Sequence, residues 1–143
     1  MKIRKDKSEK PSVLKKVTVG SIARMDVPTV NPSDHVSEIA SLMVKFNVGA
    51  VIVMRDTEPL GIVTERDLIR RVIHAEKDAQ EIVAQEIMTS PLITISYDRT
   101  IDEALKIMQH NRVRRLIVLK GESMVGLLTE RRLLNAKLPY ELE

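Results

Sequence analysis

Cysteine is absent from the chain, which removes disulfides, thiolate nucleophiles and Cys-based zinc or iron–sulfur sites together. Aromatic side chains are nearly absent: Phe46, Tyr97 and Tyr140 are all there are, too few for a base-stacking platform on nucleic acid. The five glycines are too scattered for a dinucleotide-type loop, and there is no G-x-x-x-x-G-K-[ST] stretch to cradle phosphates. No apolar run approaches the roughly 20 residues that span a bilayer; the longest, Val48 to Met54, is strand-sized. The basic start has no apolar stretch behind it, so it is not a secretory signal. A cytoplasmic protein without a membrane anchor is the expectation.

Catalytic sets are missing too. His35, His74 and His110 are isolated, with no second histidine at metal-ligand spacing. Ser21, Ser37 and Ser41 lack a G-x-S-x-G context. No nucleophile, base and orienting group can be assembled, so the sequence predicts no enzyme and no required cofactor or metal.

What is present is an ordinary globular composition, 43% hydrophobic and 30% charged over 143 residues, one domain's worth of chain. The net charge of +3 is unevenly placed. Residues 1–16 hold seven basic and two acidic side chains, leaving 16 basic against 18 acidic in the remainder. A basic tail can touch nucleic acid or an acidic partner, or simply be a solvated terminus.

The dominant feature is an internal repeat with an offset of 65 residues. Gly61-Ile-Val-Thr64-Glu65-Arg66 recurs as Gly126-Leu-Leu-Thr129-Glu130-Arg131; Ile52-Val53 maps to Ile117-Val118, and Glu38 to Glu103. The chain divides into a basic tail (1–16), a first copy (17–75), a linker (76–81) and a second copy (82–138). A short turn or helix opens each copy, at Gly20–Met25 and Gln85–Thr89, before a brief strand. Apolar spacing of three and four predicts helices from Val36 to Phe46 and from Ile101. Buried-type strands follow at Val48–Met54, Leu60–Val63, Arg115–Leu119 and Met124–Leu128, each pair leading into a last helix. The unit is β-α-β-β-α, too small to bury both faces of its sheet. Two copies are therefore expected to pack with pseudo-twofold symmetry, in an α/β (α+β) fold with clefts between them.

The peptide Gly61-Ile-Val-Thr64-Glu-Arg66-Asp67 sits where a strand ends and a helix begins. T-x-x-D is close to a capping box, a common device at helix starts. The same geometry offers N–H groups and a hydroxyl to a phosphate, and Asp67 as acceptor for both hydroxyls of a ribose. On the peptide alone both readings stand.

The tandem unit, its element order and the G-h-x-T-x-x-D peptide together resemble a cystathionine-β-synthase-type (CBS) domain pair, or Bateman module, over nearly all of the chain after residue 16. The resemblance implies a regulatory module binding AMP, ADP, ATP or S-adenosylmethionine between the repeats. Its threonine contacts phosphate or ribose, its aspartate binds the diol, and the adenine is held by the opposite repeat. Carried over, Gly61, Thr64, Arg66 and Asp67 would face Ile93, Thr94, Arg112, Val113, Arg114 and Arg115. It also implies a homodimer joined through helices. With the chain ending soon after the second copy, output is expected to pass to a separate effector protein.

Independently of that resemblance, Arg112, Arg114 and Arg115 gather just before a strand, where guanidinium forks suit phosphate. A solvated basic edge that discourages strand aggregation is the alternative. The second copy departs from the pattern: Arg132 replaces the aspartate, and arginine has no acceptor for a diol. Its facing segment, Val48, Gly49 and Ala50, has no basic residue. One good site per chain is thus expected, with a weak second one on Thr129 and Arg132. Nucleic-acid binding through tail and arginines, and a structural dimerisation module with empty clefts, are the competing functions.

Overall fold

The structure, a computed structural model, describes residues 17–90 and 92–141; the basic tail lies outside the described residues. The elements are α1 (Val19–Ile22), β1 (Thr29–Val30), α2 (Val36–Phe46), β2 (Ala50–Arg55), β3 (Glu58–Thr64) and α3 (Glu65–Leu68), which runs on as a π-helical turn over Ile69–Ile73. Then come α4 (Ala84–Ile87), β4 (Thr94–Ser96), α5 (Ile101–Asn111), β5 (Arg115–Lys120), β6 (Ser123–Thr129) and α6 (Glu130–Glu141). This is the predicted β-α-β-β-α order, written twice.

Helices α2 and α5 form because their apolar residues share one face. Val36, Ile39 and Met43 are buried on the first, Ile101, Ala104 and Met108 on the second. Thr100 caps α5: its hydroxyl accepts from the Glu103 N–H at 3.1 Å, while Glu103 accepts from the Thr100 N–H at 3.0 Å. Both helices stop on a left-handed residue, Asn47 at φ 52° and Arg112 at φ 55°.

Each sheet has three strands. β1 lies parallel to β2, which pairs antiparallel with β3; β4, β5 and β6 repeat this arrangement. Even the irregularity is copied, with register shifts between Val53 and Met54 and between Val118 and Leu119.

The compact units are not the two contiguous copies. Among the described residues, one unit lies within 26–92; the other joins residues 17–25 with residues 93–141. In the 26–92 unit, Ala84 and Ile87 enter the core with Val30, Ile39, Val51 and Val63. In the other, Val19 and Ala23 join Ile95, Ile101, Leu116 and Leu128. The segment that opens each copy in sequence thus completes the sheet of the other copy. Backbone pairing fixes it there. Thr89 exchanges two hydrogen bonds with Ile62, at 2.8 and 3.1 Å, and Arg24 exchanges two with Leu127, at 2.8 and 2.9 Å. These bonds cover the outer edges of β3 and β6.

Two glycines allow the approach. A Cβ on Gly61 would lie 2.6 Å from the Met88 sulfur and 3.0 Å from the Thr89 carbonyl oxygen; on Gly126 it would lie 2.7 Å from the Arg24 carbonyl oxygen. The glycine of the repeated peptide therefore has a packing role in both units.

Candidate functional site

In the 26–92 unit, β3 delivers Thr64 to the first turn of α3, where it is the N-cap. The Thr64 hydroxyl accepts from the Asp67 N–H at 3.2 Å. One oxygen of Asp67, Oδ2, accepts from the Thr64 N–H at 2.9 Å and from the Thr64 hydroxyl at 3.0 Å. The capping reading of T-x-x-D is thus realised. The other oxygen, Oδ1, accepts from the Thr89 hydroxyl at 3.0 Å and lies 3.9 Å from the Arg71 Nε. Asp67 is 8% exposed, and among the described residues it is the one buried charged group. A buried carboxylate is costly unless its oxygens are satisfied, and these bonds supply that.

Arg71 does a second job. Its Nη1 donates to the carbonyls of Ile87 and Met88 at 3.0 and 2.9 Å, capping the end of α4 and tying it to the π turn. Neither Thr89 nor Arg71 was singled out from sequence. Arg71 follows Asp67 by four residues, the helical spacing for an ion pair, so it carried a readable signal; Thr89 carried none, since its contact depends on the exchanged segment.

The same unit holds Gly61, Arg66, Val48, Gly49 and Ala50. Ala50 pairs with Thr64 across the sheet, and the Glu65 N–H donates to the Gly49 carbonyl at 3.1 Å. Gly49 lies under the Glu65 carboxylate, 2.6 Å from where a Cβ would stand. Arg66 is exposed.

The other unit holds Ile93, Thr94, Arg112, Val113, Arg114, Arg115, Thr129 and Arg132. Arg115 pairs with Thr129, and the Arg114 carbonyl accepts from the Glu130 N–H at 2.9 Å, so these arginines stand at the start of α6. Arg112, Arg114, Arg115, Arg131 and Arg132 are exposed. Among the described residues none of Arg112, Arg114 and Arg115 is in an ion pair, which leaves their donors free for an anion. Ile93 accepts through its carbonyl from the Ile117 N–H at 3.0 Å. Thr94 lines an open groove at the β4 edge with Ser96, Arg99, Glu103 and Lys106.

Thr129 keeps half of the cap, accepting from the Arg132 N–H at 3.2 Å. The arginine side chain cannot complete the box. Its Nε instead donates to the Ile22 carbonyl, the counterpart of the Ile87 carbonyl held by Arg71. Ala136 stands where the repeat would place Arg71. Arg132 therefore pins the exchanged segment from the position that Asp67 occupies in the first copy.

Among the described residues no group of three or more His, Asp or Glu could hold a metal ion. No helix of the described residues is long and apolar enough to cross a membrane.

Comparison with known proteins agrees with the geometry. The CBS domain family model matches residues 19–74 and 83–139. An uncharacterised protein of Methanopyrus kandleri is 37% identical over 129 residues, covering 89% of this chain and 65% of its own length. The CBS domain-containing protein YhcV of Bacillus subtilis is 32% identical over 101 residues, 71% of each chain. In three dimensions the chain resembles a candidate signal-transduction protein with CBS domains from Burkholderia ambifaria. That match has a TM-score of 0.77 and 30% identity, covering 86% of this chain and 95% of that one. The chain spans about two thirds of the length of the Methanopyrus relative.

Proposed function

Since the chain belongs to the CBS domain family and carries the domain twice, we propose that it is a regulatory module for an adenosine-containing ligand: AMP, ADP, ATP or S-adenosylmethionine. The observation that carries this reading is the carboxylate of Asp67, buried at a strand–helix junction of one unit and replaced by Arg132 in the other. A sensor needs an acceptor for ribose hydroxyls and donors for phosphate. Asp67 supplies the first, at a charge-assisted bond strength of about 1.5–3 kcal/mol. The guanidinium groups of Arg114 and Arg115, in no ion pair among the described residues, supply the second. No acid–base chemistry is asked of the site.

The output passes to a separate effector protein in the cytoplasm, and the module works as a homodimer. Ile69 and Ile73, a helical turn apart, are 57% and 71% exposed, and Leu134, the repeat counterpart of Ile69, is 45% exposed. Apolar side chains at matching positions of both last helices suit a second copy of the chain.

A structural module without ligand is the second reading, and one observation favours it: Asp67 already has donors on both oxygens. Thermal melting against AMP, ADP, ATP and S-adenosylmethionine separates the two. A bound ligand at a hundred times its Kd stabilises the fold by about 2.7 kcal/mol, and Asp67→Ala removes that gain. No shift with any of the four sustains the structural reading.

A further inference from the structure

We propose that Thr89 is a specificity-determining residue that competes with the ligand's ribose for Asp67; this rests on the reading of Asp67 as the ribose acceptor. An ionised carboxylate offers about four lone-pair directions. Three are filled inside the unit: two by the N–H and hydroxyl of Thr64, one by the hydroxyl of Thr89. The Arg71 Nε, at 3.9 Å, adds charge without a hydrogen bond. One direction on Oδ1 is left, and 11% of the side-chain surface remains reachable. A ribose diol brings two O–H donors. It is accepted whole only if one resident donor withdraws.

The three donors differ in freedom. The Thr64 N–H belongs to the helix cap. The Thr64 hydroxyl is held by the Asp67 N–H as well as by the carboxylate. Thr89 is an exposed residue whose backbone is anchored to Ile62, and among the described residues Asp67 is the one partner its hydroxyl has. Its side chain can turn away while the backbone stays, so Thr89 yields first. In the other unit both members of this pair are replaced together, by Arg24 and Arg132. The fold alone therefore does not require the pair.

The site consequently discriminates poorly between ribose and 2′-deoxyribose while Thr89 is present. The test is calorimetric titration of the full chain with AMP, 2′-deoxy-AMP, ATP and 2′-deoxy-ATP. Wild type is expected to prefer the ribonucleotides by about twofold or less. Thr89→Val, which keeps shape and removes the donor, binds the ribonucleotides about fivefold tighter and leaves the 2′-deoxy forms unchanged. Its melting temperature falls even as its affinity rises, a pairing that a purely structural residue does not produce. Thr89→Ser retains wild-type affinity. Wild type that binds none of these nucleotides overturns the nucleotide reading and this inference together. Wild-type binding with no gain in Thr89→Val overturns this inference alone. So does a wild-type ribo-to-deoxy preference above about tenfold, which needs no variant to fold.

Discussion

At equivalent places in the two units, the first turn after β3 and the first turn after β6, stand a carboxylate and a guanidinium. Asp67 turns inward, completes a capping box and accepts from Thr89. Arg132 leaves its box half made and reaches the backbone of the segment it must hold. The shared requirement is mechanical: a segment from far along the chain must be fixed to the last helix. In the 26–92 unit two side chains divide that task, Asp67 on Thr89 and Arg71 on Ile87 and Met88. In the other, Arg132 reaches the Ile22 carbonyl. Either charge satisfies the fold, so the sign at this position is open to selection by a ligand.

The largest effect is expected from closing the gap under the exchanged segments. Gly126→Ala drives a Cβ against the rigid carbonyl of Arg24, at 2.7 Å, whereas Gly61→Ala first meets the flexible end of Met88. Overpacking of this kind costs about 1–3 kcal/mol. Gly126→Ala is expected at the upper end and Gly61→Ala below it, as measured by urea denaturation. Equal costs would show that the two docked segments are held alike.

Next in size is the pair of charges. Asp67→Ala removes the carboxylate half of the capping box and the acceptor for Thr89, a loss of about 2 kcal/mol. Arg132→Met removes one exposed side-chain bond and is expected to cost about 1 kcal/mol or less. Chemical denaturation of both variants checks the order, and the reverse order would contradict this division of tasks.

A smaller effect, of opposite sign, lies at the arginine cluster. Arg112 ends α5 in the left-handed region at φ 55°, where glycine is at ease and a long side chain is not. Arg112→Gly should stabilise the chain by about 0.5–1 kcal/mol. If Arg112 is retained for an anion, the same variant binds nucleotide more weakly; gain in both would assign it no binding role.

The smallest effect is acid dependence. Glu103 is held below its usual value of 4.5, first by the Thr100 backbone N–H, then by hydrogen bonds from Arg99 and the Thr100 hydroxyl. Its folded-state pKa is depressed, so its contribution is present above the unfolded value and is lost as pH falls through the folded one. Glu103→Gln should flatten the acid side of the melting-temperature profile below about pH 4.5. An unchanged profile would remove Glu103 from the acid response.

Much of this was legible in the sequence, for local reasons. The apolar spacing from Val36 to Phe46 marked α2 over its whole length. The predicted strands fall within two residues of those formed, because β-rich apolar runs bounded by turn residues report their own burial. The T-x-x-D cap was equally local. What was not legible depends on partners distant in sequence. Nothing in Met88-Thr89-Ser90 announces a bridge to Ile62, and the recurring glycine, read as part of a ligand peptide, also makes room for that bridge. The role of Arg132 could be bounded by exclusion, since it cannot accept from a diol, but its acceptor, the Ile22 carbonyl, lies 110 residues away in the chain.

The central claim is that the two copies share an architecture but not a ligand chemistry. Isothermal titration of the intact chain with AMP, ADP, ATP and S-adenosylmethionine tests it most directly, read as stoichiometry in wild type and in Asp67→Ala. One ligand per chain is expected in wild type, and its loss in the variant. Two equivalent sites per chain, or binding unchanged by Asp67→Ala, would contradict it.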